Sequence, residues 1–282
     1  MATAEILAPR DVPTSLNYFK PSGEEAPFSY VQDPPAGTPK TNLSHEPHPV
    51  LIHDVRGKED SVSLDTTGFQ FVQHTSTETE FVDEERIRSV YYKEVEELLK
   101  RETGAKRVFI FDHTIRRNYT DEDDGGRGKN GVRGPGQRAH VDQTPEAAIA
   151  RVRRHLGADA ERLLKGRVRL INVWRPIGNP VAHYPLAVAD WRTVDARHDL
   201  VPVRLVYPDY VGSTFAVKHS PQLKWYYLSG QRPDEVTFIK CFDSDEDKAR
   251  LTPHSAFRDT SDPVSAPRRQ SIEVRTLVFD LE

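Results

Sequence analysis

The chain has 282 residues, a formal net charge of −4 and 29% charged residues of both signs. That length can bury one sizeable core, and the mild acidity argues against bulk nucleic-acid binding, which needs a strong basic excess. No run of about 18 apolar residues offers a membrane-spanning helix, and Met1-Ala2-Thr3-Ala4-Glu5 lacks the basic start and apolar stretch of a secretory signal.

Residues 1–80 are rich in Pro, Thr, Ser and charge. Pro34, Pro35, Pro39, Pro47 and Pro49 oppose helix, and only short extended pieces such as Val50-Leu51-Ile52-His53 stand out. They read as an extended segment wrapping a single catalytic domain over 81–282, with length enough to embrace a second subunit in a homodimer. From Phe81 to Arg101, Val90, Val95, Leu98 and Leu99 recur at helical spacing, and Gly104 closes the run as a C-cap. Val108-Phe109-Ile110-Phe111 is an apolar strand. A glycine-rich, charged loop follows over 121–137. Its Gly125-Gly126-Arg127-Gly128 lacks the Gly-Lys-Ser/Thr ending of a phosphate loop, so it reads as a loop at a site mouth. Thr144 caps a helix with Pro145 at its first position, running to about His155.

Beyond Arg167 the pattern turns to β. Short strands are expected over 168–174, 185–190, 201–207, 214–218, 224–228, 235–242 and 271–281, with turn residues between them. Many short strands after a helical region predict a mainly β protein with flanking helices around a jelly-roll, double-stranded β-helix core. The single cysteine, Cys241, permits no internal disulfide and fits a reducing cytoplasm. It lies in an apolar run and reads as a buried, inert thiol.

One short motif carries metal chemistry. From 11 His and 43 acidic residues, chance gives roughly one or two His-x-acid pairs. The chain has one, His140-Val141-Asp142. Residues i and i+2 of an extended segment point to one side, so a single strand supplies two adjacent ligands. Two imidazoles and a carboxylate on one face, with three positions left open, suit iron(II) in an oxygenase. The third ligand must come from a distant strand. His219 and His254 are the candidates, and His254 is preferred because the chain's last strand follows it. That strand carries Arg269, Ser271 and Arg275 at one parity, together with Glu273. A row of Arg, hydroxyl and Arg facing a barrel interior offers a bidentate partner to the far carboxylate of a dicarboxylate such as 2-oxoglutarate. Arg268 takes that role if the register slips by one.

Taken together, Arg138-Ala139-His140-Val141-Asp142-Gln143-Thr144, Asn172-Val173-Trp174-Arg175-Pro176, Tyr184 to Asp190, Trp225-Tyr226-Tyr227-Leu228, Pro253-His254-Ser255-Ala256-Phe257 and Arg269 to Arg275 resemble one family. It is the fungal and bacterial group of CmcJ-like, NvfI-like and AsaB-like iron(II)/2-oxoglutarate oxygenases, and the resemblance covers roughly residues 80–282. It implies a double-stranded β-helix that uses Fe(II), 2-oxoglutarate and O2 to hydroxylate, desaturate or cyclise a small secondary metabolite or amino-acid precursor. By position, His140, Asp142 and His254 match the metal ligands and Arg269 the 2-oxoglutarate arginine. Arg275 resembles the second of the paired arginines of AlkB-like dioxygenases, and Asn172 is a candidate hydrogen-bond donor to the cosubstrate. The candidate substrate pocket comprises Tyr119, Arg138, Arg175, Tyr184, His219 and Trp225. The competing readings are a jelly-roll binding protein and a cupin-type metalloenzyme that does not use 2-oxoglutarate.

Overall fold

The computed structural model describes residues 8–117, 133–261 and 265–282; Tyr119 and most of the glycine-rich loop lie outside the described residues. The segment expected to wrap the domain is drawn into both sheets. It supplies β1 (Val12–Lys20), β2 (Phe28–Tyr30), β3 (Ser44–Asp54) and β4 (Phe69–Gln73). The prolines that hid β3 are tolerated by position. Pro47 and Pro49 pair with Asn17 and Ser15 of β1, whereas β3 meets its other neighbour only through Ile52–Asp54. Their missing N–H groups therefore cost no ladder bond on that open side.

The helical run begins later than its apolar spacing suggests. Asp83 accepts from the backbone of Glu85 and Arg86 and starts α1 (Glu84–Arg86), a π turn follows over Ile87–Tyr91, and α2 (Tyr92–Thr103) ends at Gly104 with φ +70. After β5 (Arg107–Arg116) and the two-residue β6 (His140–Val141), Thr144 caps α3 (Pro145–Leu156) as expected. A short α4 (Ala160–Leu163) leads into β7 (Val168–Pro176), β8 (Leu186–Ala189), β9 (Leu200–Val206), β10 (Val211–Val217), β11 (Trp225–Tyr227), β12 (Glu235–Asp243), β13 (His254–Ala256) and β14 (Ser271–Phe279).

Five strands form one antiparallel sheet in the order β4-β12-β7-β14-β5, and nine form the other in the order β1-β3-β11-β8-β13-β6-β10-β9-β2. The larger sheet curls until β1 returns to the chain just before β6, where the Ala139 amide donates to the Asn17 carbonyl at 2.9 Å. Strands β7 and β12 are buried along their whole lengths. One core, which includes Leu170, Trp174 and Ile239, covers one face; a second, which includes Val173, Val236 and Leu98 of α2, covers the other. A strand sandwiched this way loses the polar–apolar alternation of a half-exposed strand, so every polar side chain on β7 needs a partner.

A charge cluster built on the buried Lys240 and Asp243 ties the turn before β4 to this sheet. Arg167 donates to Asp65 and Asp243 at 2.6 Å each, and the fully buried Lys240 donates to Asp243 at 2.6 Å and to Asp65 at 3.2 Å. Burial pushes the Asp65 carboxyl up, but the Arg167 hydrogen bond and the Lys240 charge outweigh it and hold it at about 2. A carboxyl depressed in the folded state adds stability above its unfolded value, near 4, and that stability drains as pH falls towards 2. Asp243→Asn leaves a buried lysine short of its closest counter-charge. Against the opposing effect of burial, Arg167 and Lys240 also hold the Asp243 carboxyl below its ordinary range, so chemical denaturation should show a loss of about 3–5 kcal/mol and a shallower fall in stability on acidification below pH 4 than in the parent chain.

Candidate metal centre

Strand β6 lies between β13 and β10, and its register sets His254 directly opposite His140. The two imidazoles are 4.3 Å apart between ring centres and tilted by 53°. Asp142 follows two residues after His140 and turns its Oδ1 to both rings, 3.3 Å from His140 Nε2 and 3.8 Å from His254 Nε2. The three candidate ligand atoms all lie within 4.8 Å of one another. An ion held at about 2.1 Å by three ligands at right angles separates neighbouring ligand atoms by about 3 Å, close to what the two shorter spacings provide.

The surroundings fix which atoms face the centre. His140 Nδ1 lies 2.8 Å from the Arg138 carbonyl and His254 Nδ1 lies 3.1 Å from the Thr252 carbonyl. A carbonyl only accepts, so each Nδ1 carries a proton, and Nε2 is the atom left to ligate once the imidazole is neutral. Asp142 Oδ2 is taken from behind, by Asn172 Nδ2 at 2.7 Å and Arg275 Nε at 3.1 Å, which leaves Oδ1 for the centre. Burial pushes the Asp142 carboxyl up, but Arg275 and the two histidines outweigh it and hold it well below the ordinary range. Burial, then the neighbouring His140, lowers His254 and favours its neutral form. For His140, burial pulls down and Asp142 pulls up, with a net rise. Neutral imidazoles and an ionised carboxylate are the forms that bind a divalent cation. Asn172 is fully buried, and its Oδ1 has no hydrogen-bond partner among the described residues.

Of the row expected on the last strand, Ser271 and Arg275 lie on β14, Arg275 half-buried, and Arg269 just precedes it. Arg269 and Ser271 are buried; Arg275 lies opposite Asn172 and Ser271 opposite Pro176 across β7 and β14. Arg269 donates to the Tyr184 carbonyl at 2.5 Å, and its guanidinium lies 5.4 Å from the centre of the Trp174 ring. Tyr184 adopts φ +53, a left-handed backbone that an L side chain rarely takes. Arg275 donates to Thr114 at 2.9 Å and to Glu273 at 2.5 Å besides Asp142. Its guanidinium is thus engaged with the Asp142 carboxylate and its neighbours. Trp174 was not foreseen as a site residue, although alternation from Asn172 puts it on the same face of β7.

That alternation also corrects Arg175. It projects to the opposite face of β7, where Nε donates to the Tyr91 hydroxyl at 3.0 Å and Nη1 to the His74 and Pro233 carbonyls at 2.7 and 2.6 Å. It ties the helix to the sheet and does not line the pocket with Asn172. His219 stacks on His48 at 4.1 Å and meets Tyr18 edge-on at 5.2 Å, and Trp225 packs on Tyr18 from another side. Trp225 is thus a buried core residue, and His219 is an exposed one at the edge of the same aromatic cluster. Arg138 contributes its carbonyl to His140, and Tyr184 its carbonyl to Arg269. Burial, then the charges of Asp142 and Glu273, pushes the Cys241 thiol well above its usual value, as an inert core thiol requires.

Residues 16–279 match the family model described as an oxidoreductase/YMDC permease-like domain. The hydroxylase/desaturase efuI of Hormonema carpetanum is 35% identical, covering 98% of this chain and 97% of its own. The Fe(II)/2-oxoglutarate-dependent dioxygenase nvfI of Aspergillus novofumigatus is 37% identical, covering 92% of each. Among solved structures, the iron and alpha-ketoglutarate-dependent endoperoxidase NvfI superposes with a TM-score of 0.82 at 35% identity, covering 95% of this chain and 98% of that one. The curled sheets are therefore the jelly-roll core expected from the strand pattern. The candidate centre predicts that Asn172→Ala, which removes one donor from Asp142, weakens iron(II) binding about 10–100-fold. His254→Ala should abolish stoichiometric binding, and equilibrium dialysis under nitrogen measures both.

Proposed function

This chain belongs to the family of fungal iron(II)/2-oxoglutarate-dependent oxygenases, and on that premise we propose that His140, Asp142 and His254 hold the iron while Arg269, with Ser271 beside it, receives the far carboxylate of 2-oxoglutarate. The observation that carries the assignment is the convergence of two Nε2 atoms on Asp142 Oδ1, with both Nδ1 atoms committed to carbonyls. When bound, iron(II) with 2-oxoglutarate and O2 supplies the oxidising power for a C–H bond, and 2-oxoglutarate leaves as succinate and carbon dioxide. The protein's own share is placement and exclusion of water.

Arg275 and Asn172 take a different share from the one their sequence suggests. Both hold Asp142 Oδ2, so both act as positioning residues for a ligand. The unsatisfied Asn172 Oδ1 accepts from a bound water or ligand once the site fills, because a buried acceptor left alone costs about 1–3 kcal/mol. Arg269, braced by the Tyr184 carbonyl and the Trp174 ring, is preorganised for a carboxylate. The substrate is a small secondary metabolite or amino-acid precursor, and the outcome is hydroxylation, desaturation or ring closure. The relatives' names, hydroxylase/desaturase and endoperoxidase, support that range. Among the described residues no helix is long and apolar enough to cross a membrane, and the lone buried Cys241 supports a reducing, cytoplasmic setting.

Calorimetric titration of 2-oxoglutarate into the iron(II)-loaded chain under nitrogen tests the anchor. Arg269→Ala should weaken 2-oxoglutarate about 10–100-fold, the scale of a lost charge-assisted hydrogen bond, and leave iron affinity unchanged. Unchanged 2-oxoglutarate affinity would favour a metalloenzyme that does not use this cosubstrate.

A further inference from the structure

Both imidazoles are oriented by a carbonyl two residues upstream, and each of those carbonyl-bearing segments is gripped by a residue from the first 80. On the β6 side, Asn17 of β1 brackets Arg138. Its Nδ2 donates to the Gln137 carbonyl at 2.9 Å and its own carbonyl accepts from the Ala139 amide at 2.9 Å. The Arg138 carbonyl between these two anchors is the one that receives His140 Nδ1. On the β13 side the grip comes from Gly68, in the turn before β4. Its carbonyl accepts from Thr252 Oγ1 at 2.6 Å and from the Lys240 amide at 2.9 Å, and the Thr252 carbonyl receives His254 Nδ1. Thr252 is fully buried. Gly68 has φ +90, and a Cβ there would sit 2.3 Å from Thr252 Oγ1 and 2.9 Å from the Leu251 carbonyl oxygen, so only glycine permits the approach.

We propose that the N-terminal segment is a working part of the metal centre. Asn17 and Gly68 are positioning residues that fix the Arg138 and Thr252 carbonyls, and through them the tautomer and ring orientation of His140 and His254. This rests on reading both histidines as ligands. Neither residue touches the centre. Each sets the partner of a ligand's second nitrogen, the kind of contact whose loss typically weakens metal binding about 10–100-fold. The larger sheet closing on β1, and the charged cluster around Asp65 three residues before Gly68, supply the rigidity that such a grip needs.

The test uses the full chain and cobalt(II) alone, whose visible absorption reports ligand geometry. Asn17→Leu keeps the volume and removes the amide; Thr252→Val keeps the shape and removes the hydroxyl from Gly68. Gly68→Ala is set aside because its Cβ strains the backbone as well. Each variant should bind cobalt(II) about ten-fold or more weakly with a shifted band, and Thr252→Ser should restore both. Thr237→Val, which removes from β12 a buried hydroxyl bonded to Gln231, is the control. It should lower the unfolding temperature of the metal-free protein with no change in affinity or band. Wild-type affinity and spectrum in both Asn17→Leu and Thr252→Val, whatever their unfolding temperatures, would overturn the proposal. Retention of cobalt(II) by His140→Ala and His254→Ala would instead overturn the reading of the ligands on which it stands.

Discussion

The antiparallel register of β6 and β13 is the constraint on which this site depends. It places His140 and His254 on adjacent strands at the same level, and the residue two beyond His140 is the carboxylate that meets both rings. A slip of one residue in that pairing would send one imidazole to the other side of the sheet. A two-residue strand and a three-residue strand hold this register poorly alone. Their neighbours do the work: β10 on one side of β6 and β8 on one side of β13.

The second sheet contributes a different kind of constraint. It brings Asn172 and Arg275, opposite each other on β7 and β14, to a single oxygen of Asp142. That orients the carboxylate and balances its charge before any cation arrives. Burying Arg275, Glu273 and Asp142 together is expensive unless each is paired, and here each is. The same logic recurs at the far end of β12 with Lys240, Asp243, Asp65 and Arg167, where nothing but architecture is at stake. One cluster binds a ligand-bearing strand and the other binds a turn, yet the pairing physics is common to both.

Much of the centre was legible because its parts are local. His140-x-Asp142 is a two-residue period, and the parity of Arg269, Ser271 and Arg275 is visible along one strand. Choosing His254 over His219 needed long-range information. The order of elements favoured His254, and it is His254 that lies beside His140 and Asp142, but it sits in its own strand in the larger sheet, while Ser271 and Arg275 sit in the smaller one. Arg175 shares a motif with Asn172 but sits three residues along an extended strand, so alternation puts it on the other face, against Tyr91 and His74. The first half of β3 was hidden by Pro47 and Pro49, whose tolerance depends on which side of the strand has a neighbour. The grip of Asn17 and Gly68 on distant carbonyls leaves no pattern in a single sequence, since it follows from closure of the sheet.

The most direct test of the central claim is the visible spectrum of the chain mixed with iron(II) and 2-oxoglutarate in the absence of oxygen. A weak charge-transfer band, absent with either cosubstrate component alone and lost in His140→Ala, is the result that a cosubstrate-bearing iron at His140, Asp142 and His254 requires. No band, with no iron retained after desalting, would contradict the account and leave the three side chains as a packed polar cluster.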